Sequence, residues 1–197
     1  IADLLNPKGD HAQGHIFLSL FLQQLTNASH YLLLDIQRAK VAIEVLTFRN
    51  QTQRRMDIYL EIPYIDSAQS FGICIENKPY AADQENQLTD YASERSKRHD
   101  RNQDMQHHWH LVYLAGYGNE PSAESVEPSQ LEEWKSKNHF TLISYPELIE
   151  WLNQCMLRCQ NERVNNFLNA FNTFIRKSFL GIQDMSEQQH LLNLISS

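Results

Sequence analysis

The sequence predicts a single α/β domain in which helices cover both faces of a central sheet. The predicted elements run helix, three strands, helix and strand, followed by a short strand and two helices. The third strand, residues 71–78, is apolar on both faces until its last three residues, which is typical of a central strand. The chain has 197 residues, of which 42% are hydrophobic, so we expect residues 1–197 to form one domain around one core.

The first half of the chain contains one predicted helix and three predicted strands. Apolar residues at helical spacing predict a buried helix that begins near Gly14. Residues 41–48 are β-branched and apolar except for Glu44, which predicts the first strand. Residues 55–62 alternate apolar and polar side chains, which predicts a second strand with one polar face. The third strand ends before Pro79, because proline cannot donate to a ladder.

The second half of the chain alternates helices and strands. Residues 83–101 are polar with a narrow apolar stripe, which predicts a helix lying on the sheet. The apolar segments 109–115 and 140–144 predict the fourth and fifth strands. Pro146 marks the start of a helix, and residues 164–179 carry apolar side chains at the spacing of a final amphipathic helix.

Composition and charge exclude several classes of protein. No apolar segment approaches the length needed to cross a bilayer, and no secretory signal is visible at the start. Three sparsely placed cysteines suit reduced thiols, so we expect a cytoplasmic protein. The net charge of −7 argues against indiscriminate coating of nucleic acid. The sequence contains no helix-turn-helix, zinc-finger or base-stacking motif.

Positive charge is concentrated in one short segment. Four basic residues lie close together at the end of the polar helix: Arg95, Lys97, Arg98 and Arg101. Such a local excess of positive charge is compatible with contacts to nucleic-acid phosphates and also with an ordinary solvated helix face. The sequence leaves both interpretations open.

Polar residues interrupt the predicted strands. Asp57 lies on the polar face of the second strand, and Glu76 and Lys78 end the third strand on one common face. Glu44 stands among apolar neighbours, where an ionised carboxylate needs compensation. These groups form either a structural network, with Lys78 or Arg55 neutralising the acids, or a site where the carboxylates hold a hard divalent cation.

A family resemblance favours the second interpretation. Asp57, followed after eighteen residues by Glu76-Asn77-Lys78, resembles the motif of the PD-(D/E)XK nuclease superfamily. Met56 stands where the name of the superfamily has proline. The resemblance implies an α/β, restriction-endonuclease-like core of order αβββαβ, with a mixed central sheet flanked by helices and with further helices at the C-terminus.

Further motifs are similar to one bacterial and archaeal branch of this superfamily. Gln87-Leu88-x-x-Tyr91 follows on the next helix, and Arg54-Arg55-Met56-Asp57-Ile58 resembles the R-x-D-I motif of that branch. The opening segment LLNPKGDHAQG at residues 4–14 also matches, as do three later dipeptides: Phe17-Leu18, Ser144-Tyr145 and Trp151-Leu152. The resemblance therefore spans almost the whole chain.

The resemblance implies a role for each residue of the central motif. Asp57 and Glu76 would bind Mg²⁺, or Mn²⁺ as a substitute, with the backbone carbonyl of Asn77 as a third ligand. Lys78 would orient the attacking water and stabilise charge, because an ammonium with the reference pKa of about 10.4 is a poor base at neutral pH. Gln87 would position Lys78 or the water, with ordinary packing of the helix on the sheet as the alternative.

Four other residues are candidates for supporting roles. Glu44 is either an additional metal ligand or a hydrogen-bonded structural carboxylate beside an arginine. Tyr91 and Arg55 belong to the matched motifs, and Tyr91 is equally compatible with ordinary packing of the helix on the sheet. His11 matches the opening segment, where we expect it to cap a helix N-terminus or to anchor a loop rather than to take part in catalysis.

The sequence therefore predicts a Mg²⁺-dependent phosphodiesterase, a nuclease that cleaves nucleic acid, in particular DNA, by means of a metal-activated water. The resemblance also implies a bacterial protein with a defence role, either free-standing or part of a larger system. The alternative is a catalytically inactive nucleic-acid-binding or scaffolding module of the same fold. The complete motif argues against this alternative, because the sequence retains all of its residues: Asp57, Glu76, Lys78 and Gln87. No membrane partner is expected, and the oligomeric state is left open.

Overall fold

Six α-helices and five strands lie in the part of the chain that this computed structural model describes, residues 1–25, 28–47, 54–99 and 108–181. Side chains are described for all of these residues except 28–30 and 96–99. The helices are α1 (Ala2–Leu5), α2 (Ile16–Leu22), α3 (Gln87–His99), α4 (Pro128–Ser136), α5 (Leu148–Arg158) and α6 (Glu162–Leu180). The strands are β1 (Lys40–Leu46), β2 (Arg55–Pro63), β3 (Ser70–Lys78), β4 (Trp109–Ala115) and β5 (Phe140–Ser144). Two 3₁₀ helices, Ala28–Leu33 and Ile36–Arg38, precede β1.

The five strands form one mixed sheet in the order β1-β2-β3-β4-β5. The pairs β1–β2 and β2–β3 are antiparallel, whereas the pairs β3–β4 and β4–β5 are parallel. Parallel neighbours need crossover connections, and α3 and α4 lie within those connections. β3 is the central strand and is buried along most of its length, as the sequence predicted.

Two apolar clusters fill the two faces of the sheet. The first joins α1, α2, α5 and α6 to the sheet, and within it the Trp151 indole donates a hydrogen bond to the carbonyl oxygen of Phe17 at 3.0 Å. The second joins α3 and α4 to β3 and β4, and it includes Tyr91 and Trp134. Helices on both faces of a mixed sheet confirm the predicted α/β fold.

Glu44 interrupts the alternation of side chains in β1. Its φ of 53° is positive, which is uncommon for a residue other than glycine. Val41, before it, packs against the first cluster, whereas Val45, after it, packs against the second. The same change of face occurs in β2, where Ile58 belongs to the first cluster and Met56 to the second. The strict alternation predicted for the second strand is therefore wrong at Met56.

The predicted elements agree with the observed ones except at their ends. The predicted first helix begins at Ile16 rather than near Gly14. The polar helix predicted from residue 83 begins at Gln87, because the Asp83 carboxylate accepts hydrogen bonds from the Tyr113 hydroxyl and a loop N–H and so belongs to a loop. The predicted ends at residues 48 and 101 lie outside the described residues.

Two further expectations concern the chain as a whole. Residues 182–197 lie outside the described part, so one domain over residues 1–197 stays a prediction. Among the described helices, none is both long enough and apolar enough to span a bilayer.

Candidate active site

A polar cleft of about 620 Å³ opens at the carboxyl end of β3. Its walls come from the start of β2, the end of β3, and the first turns of α3 with the loop before it. The residues that line it are Arg54, Arg55, Asp57, Glu76, Asn77, Lys78, Ala81, Gln84, Gln87 and Tyr91. The four predicted catalytic residues therefore lie in one cleft.

The cleft exists because β2 and β3 part at this end of the sheet. Their ladder ends at the pair Ile58 and Ile75, although both strands continue beyond it. Past that pair, the N–H of Asn77 donates to the carboxylate of Asp57 at 2.8 Å instead of to a backbone carbonyl of β2. In a strand the N–H and C=O of one residue point to the same side, so the carbonyl of Asn77 also faces this gap.

Asp57 is half-buried in the gap between the two strands. Burial raises the pKa of its carboxyl group above the ordinary value, while the N–H of Asn77 and the ammonium of Lys78 oppose part of that shift. An ionised Asp57 is consequently less favourable here than in water. A cation placed in the gap would stabilise it.

Glu76 and Lys78 form a buried ion pair on one face of β3. The Nζ of Lys78 lies 2.9 Å from Oε1 of Glu76. Burial raises the pKa of Glu76, and the nearby carboxylate of Asp57 raises it further. The other carboxylate oxygen, Oε2, is buried and has no hydrogen-bond partner in the part of the chain that the structure describes. Leaving a buried acceptor unsatisfied costs about 1–3 kcal/mol, so this oxygen is poised for a ligand.

Two residues of α3, one helical turn apart, hold Glu76 from the helix side. The amide of Gln87 donates to Oε1 of Glu76 at 2.8 Å and to the hydroxyl oxygen of Tyr91 at 3.0 Å. The hydroxyl of Tyr91 in turn donates to the backbone carbonyl of Arg55 at 2.6 Å. This chain of bonds connects α3 to both strands. In this structure Gln87 positions Glu76, whereas the sequence had assigned it to Lys78 or to a water.

Arg54 has a structural role that the sequence reasoning missed. Its guanidinium pairs with Asp90 and donates to the carbonyl of Glu85 and to the side-chain oxygen of Gln84. The planar fork of donors clamps the start of β2 to the loop before α3 and to the first turn of that helix. The sequence signal for this role was the position of Arg54 directly before the R-x-D-I motif. No local pattern in the sequence identifies the partners of its side chain.

Glu44 lies at the rim and not among the residues that line the cleft. Its side chain is 56% exposed and lies 3.5 Å from Nη1 of Arg55. The register of β1 with β2 places it opposite Asp57, and its charge raises the pKa of Asp57. The sequence had indicated a costly position among apolar neighbours, but the carboxylate is exposed and lies beside Arg55.

The predicted basic patch is not one exposed surface. Arg95 is fully buried, with its guanidinium carbon 3.6 Å from the centroid of the Tyr59 ring and Nη2 3.1 Å from the sulfur of Met56. A guanidinium in this position does not reach a phosphate in solution, so the prediction that Arg95 contacts nucleic acid is wrong. The side chains of the other three residues of the predicted patch are not among those that the structure describes: Lys97, Arg98 and Arg101.

His11 is buried away from the cleft and holds the N-terminal segment together. Its Nδ1 accepts a hydrogen bond from the N–H of Gln13 at 3.0 Å, so Nε2 carries the proton and donates to the carbonyl of Asn6 at 2.9 Å. The ring also packs on Phe17, with 4.9 Å between ring centroids. These contacts are those of a loop anchor.

The donor set of the cleft fits a hard divalent cation. Asp57 and Glu76 supply carboxylate oxygens, one of which is buried without a partner among the described residues, and the carbonyl of Asn77 faces the same gap. The described residues contain no group of three or more His, Cys, Asp or Glu side chains placed to hold a metal. A metal would therefore also need backbone, water or substrate oxygens. Mg²⁺ is commonly bound in this way, by one or two carboxylates with several waters or phosphate oxygens.

A mixed sheet flanked by helices, with two carboxylates and a lysine where its central strand ends, defines an α/β protein with a restriction-endonuclease-like core. A family model for the PD-(D/E)XK nuclease superfamily matches residues 1–176. The chain therefore belongs to this superfamily, which confirms the resemblance seen in the sequence. Comparison with curated proteins gave no match, and comparison with solved structures gave none either.

Proposed function

We propose that the protein is a Mg²⁺-dependent nuclease that hydrolyses phosphodiester bonds of DNA. The arrangement around Glu76 carries the proposal. Lys78 and Gln87 hold one carboxylate oxygen, while the other is buried with no partner in the described part of the chain. A purely structural ion pair gives no reason to leave that oxygen unsatisfied, whereas a site that binds a ligand does. Membership of a nuclease superfamily supports the same conclusion.

Lys78 provides a fixed positive charge in the cleft. Negative charge builds on the phosphate oxygens during hydrolysis, and a cation held in place beforehand stabilises that charge without reorganising. The ion pair with Glu76 at 2.9 Å holds the ammonium in the cleft. We assign Lys78 to orienting the attacking water and to neutralising charge on the phosphate.

The carboxylates and one carbonyl form the proposed metal site. Asp57, Glu76 and the backbone carbonyl of Asn77 would hold Mg²⁺, with Mn²⁺ as a substitute. A bound divalent ion supplies Lewis-acid stabilisation of the phosphate and lowers the pKa of water. Gln87 and the N–H of Asn77 keep the two carboxylates in position through hydrogen bonds of 2.8 Å each.

A cleavage panel tests this function. Purified protein is incubated with circular, linear and single-stranded DNA and with RNA, each in Mg²⁺, Mn²⁺ or EDTA. We expect cleavage of DNA that requires the divalent ion and is lost in Asp57→Asn. The matched control Asp66→Asn changes an exposed aspartate in the turn between β2 and β3 and should retain full activity.

The outcomes of the panel separate the proposal from its alternative. Binding of DNA without cleavage in any arm would favour a nucleic-acid-binding module that lacks catalysis. Cleavage of RNA alone would change the assigned substrate. A role in bacterial defence rests on the resemblance to the bacterial and archaeal branch, and phage challenge of a bacterial host that expresses the wild type or Asp57→Asn tests it.

A further inference from the structure

Two tyrosines stand just beyond the candidate active site. β3 and β4 are parallel with Lys78 opposite Ala115, and Tyr80 and Tyr117 each follow two residues after that pair. These tyrosines are 67% and 63% exposed. One exposed aromatic residue is common on a protein surface, but two beside a polar cleft form a patch suited to binding.

Phe179 of α6 holds the two rings in place. Tyr80 stacks on Phe179 with 5.3 Å between centroids and 14° between planes, and Tyr117 meets the same ring at 5.5 Å and 66°. Phe179 is buried and stacks on Tyr145 at 4.7 Å. The Tyr145 hydroxyl donates to the side-chain oxygen of Asn77 at 2.8 Å. The aromatic cluster is thus connected to the candidate active site by direct contacts.

The backbone that carries the two tyrosines is tightly constrained. The N–H of Gly116 donates to the carbonyl of Lys78 at 3.0 Å. A Cβ at Gly116 would lie 2.2 Å from the carbonyl oxygen of Pro79, so only glycine allows the two segments this close approach. A ligand would therefore meet rings that are already positioned, and little ordering would oppose its binding.

A groove of about 250 Å³ is lined by both tyrosines and by Asn119. Lys78 and Ala81 line both this groove and the cleft, so the two spaces are neighbours. Two residues of extended chain span at most about 7 Å, which limits the distance between the Cα atoms of Lys78 and Tyr80. Tyr80 therefore lies within reach of a nucleotide next to a phosphate bound in the cleft.

The chemistry of the groove selects an unpaired base. Nucleobases stack on aromatic side chains, whereas a base within a duplex is stacked on its neighbours and paired along its edge. The amide of Asn119 offers both a donor and an acceptor for a base edge. We infer that Tyr80 and Tyr117 form a stacking site for an unpaired base next to the scissile phosphate. The preferred substrate is then a strand with a single-stranded region, an inference that rests on the proposed nuclease function.

Direct binding tests the stacking site independently of cleavage. Fluorophore-labelled oligonucleotides of DNA and of RNA, as single strands and as blunt duplexes, are titrated with the protein in Ca²⁺ instead of Mg²⁺ and followed by anisotropy. We expect Tyr80→Ala and Tyr117→Ala each to weaken single-strand binding about tenfold and duplex binding by less than about twofold. Tyr80→Phe keeps the ring and should keep the affinity.

A matched control and a folding check accompany these variants. Phe167→Ala removes an exposed aromatic ring elsewhere on α6, beside a different cleft, and should leave both affinities unchanged. Because Tyr80 and Tyr117 are exposed, their alanine variants should fold, and thermal melts check this. Comparing the affinities for DNA and for RNA shows which of the two the stacking site prefers.

Three binding results would overturn the stacking site. They are equal losses on single strands and duplexes, unchanged affinity in both alanine variants, and no single-strand binding by the wild type. A lower molar mass of Tyr80→Ala in light scattering would instead assign the patch to contact with a second copy of the chain and would also overturn it. Tyrosine-dependent single-strand binding by a wild type that cleaves no substrate would remove the nuclease function and leave the stacking site standing.

Discussion

The N–H of Asn77 donates a hydrogen bond to the carboxylate of Asp57 at 2.8 Å, beyond the last pair of the ladder between β2 and β3. This bond satisfies an N–H that would otherwise need a partner on the neighbouring strand. The two strands are therefore able to part, and the gap between them holds Asp57 beside the buried pair of Glu76 and Lys78. We therefore expect the charged groups of this gap to affect catalysis and stability in different ways.

Removing any one charged group from the gap should abolish catalysis. We expect Asp57→Ala, Glu76→Ala and Lys78→Ala each to lower turnover by at least about 100-fold, because each removes charge that stabilises the transition state. Cleavage of labelled DNA in Mg²⁺ measures the loss, and circular dichroism checks that each variant keeps its secondary structure. Wild-type turnover by a folded variant would remove that residue from the site.

Asp57→Asn should raise the melting temperature of the metal-free protein. The asparagine keeps an oxygen that can accept from the N–H of Asn77, and it removes a negative charge that raises the pKa of Glu76. In Mg²⁺ the wild type should instead have the higher melting temperature. A ligand at 100 times its Kd stabilises the wild type by about 2.7 kcal/mol, while the variant gains little. Calorimetry in EDTA and in Mg²⁺ measures both effects. A wild type whose melting temperature responds to neither Mg²⁺ nor Mn²⁺ would contradict the metal site.

Glu44→Gln should weaken Mg²⁺ binding several-fold with little change in stability. The exposed pair of Glu44 and Arg55 is of a kind that contributes about 0.2–1 kcal/mol, so its loss should leave the fold intact. The charge of Glu44 nevertheless acts on Asp57, and removing it makes the gap less attractive to a cation. Titrations of activity and of binding heat against Mg²⁺ test this. Equal metal affinity combined with lower stability would assign Glu44 a structural role.

Lys97, Arg98 and Arg101 should contribute to nucleic-acid affinity, whereas Arg95 should contribute to stability. Changing the first three to glutamine should flatten the salt dependence of DNA binding, since each phosphate contact adds about 0.9 to its logarithmic slope. Arg95→Gln removes the guanidinium that lies over the Tyr59 ring and should lower the melting temperature. Anisotropy at several salt concentrations and thermal melts measure the two effects. An unchanged slope in the triple variant would place the binding surface elsewhere.

The sequence by itself determined the order of the elements and the local geometry of the motifs. Glu76 and Lys78 are two residues apart in a strand, and Gln87 and Tyr91 are four apart in a helix, so each pair shares a face whatever packs around it. The apolar pattern of β3 likewise predicted its central position, because only a strand covered on both faces is apolar on both. These properties depend on near neighbours along the chain.

Only the tertiary structure decided the surroundings of each side chain. Arg95 stands in a run of polar residues, yet it is fully buried because Tyr59 of a distant strand lies beneath it. Arg54 finds its partners in the loop before α3 and in the first turn of that helix. Tyr80 and Tyr117 are 37 positions apart, and both contact Phe179 because β3 and β4 are parallel neighbours. Periodicity determines which residues share a face, whereas contacts between distant segments determine which are buried, paired or open to a ligand.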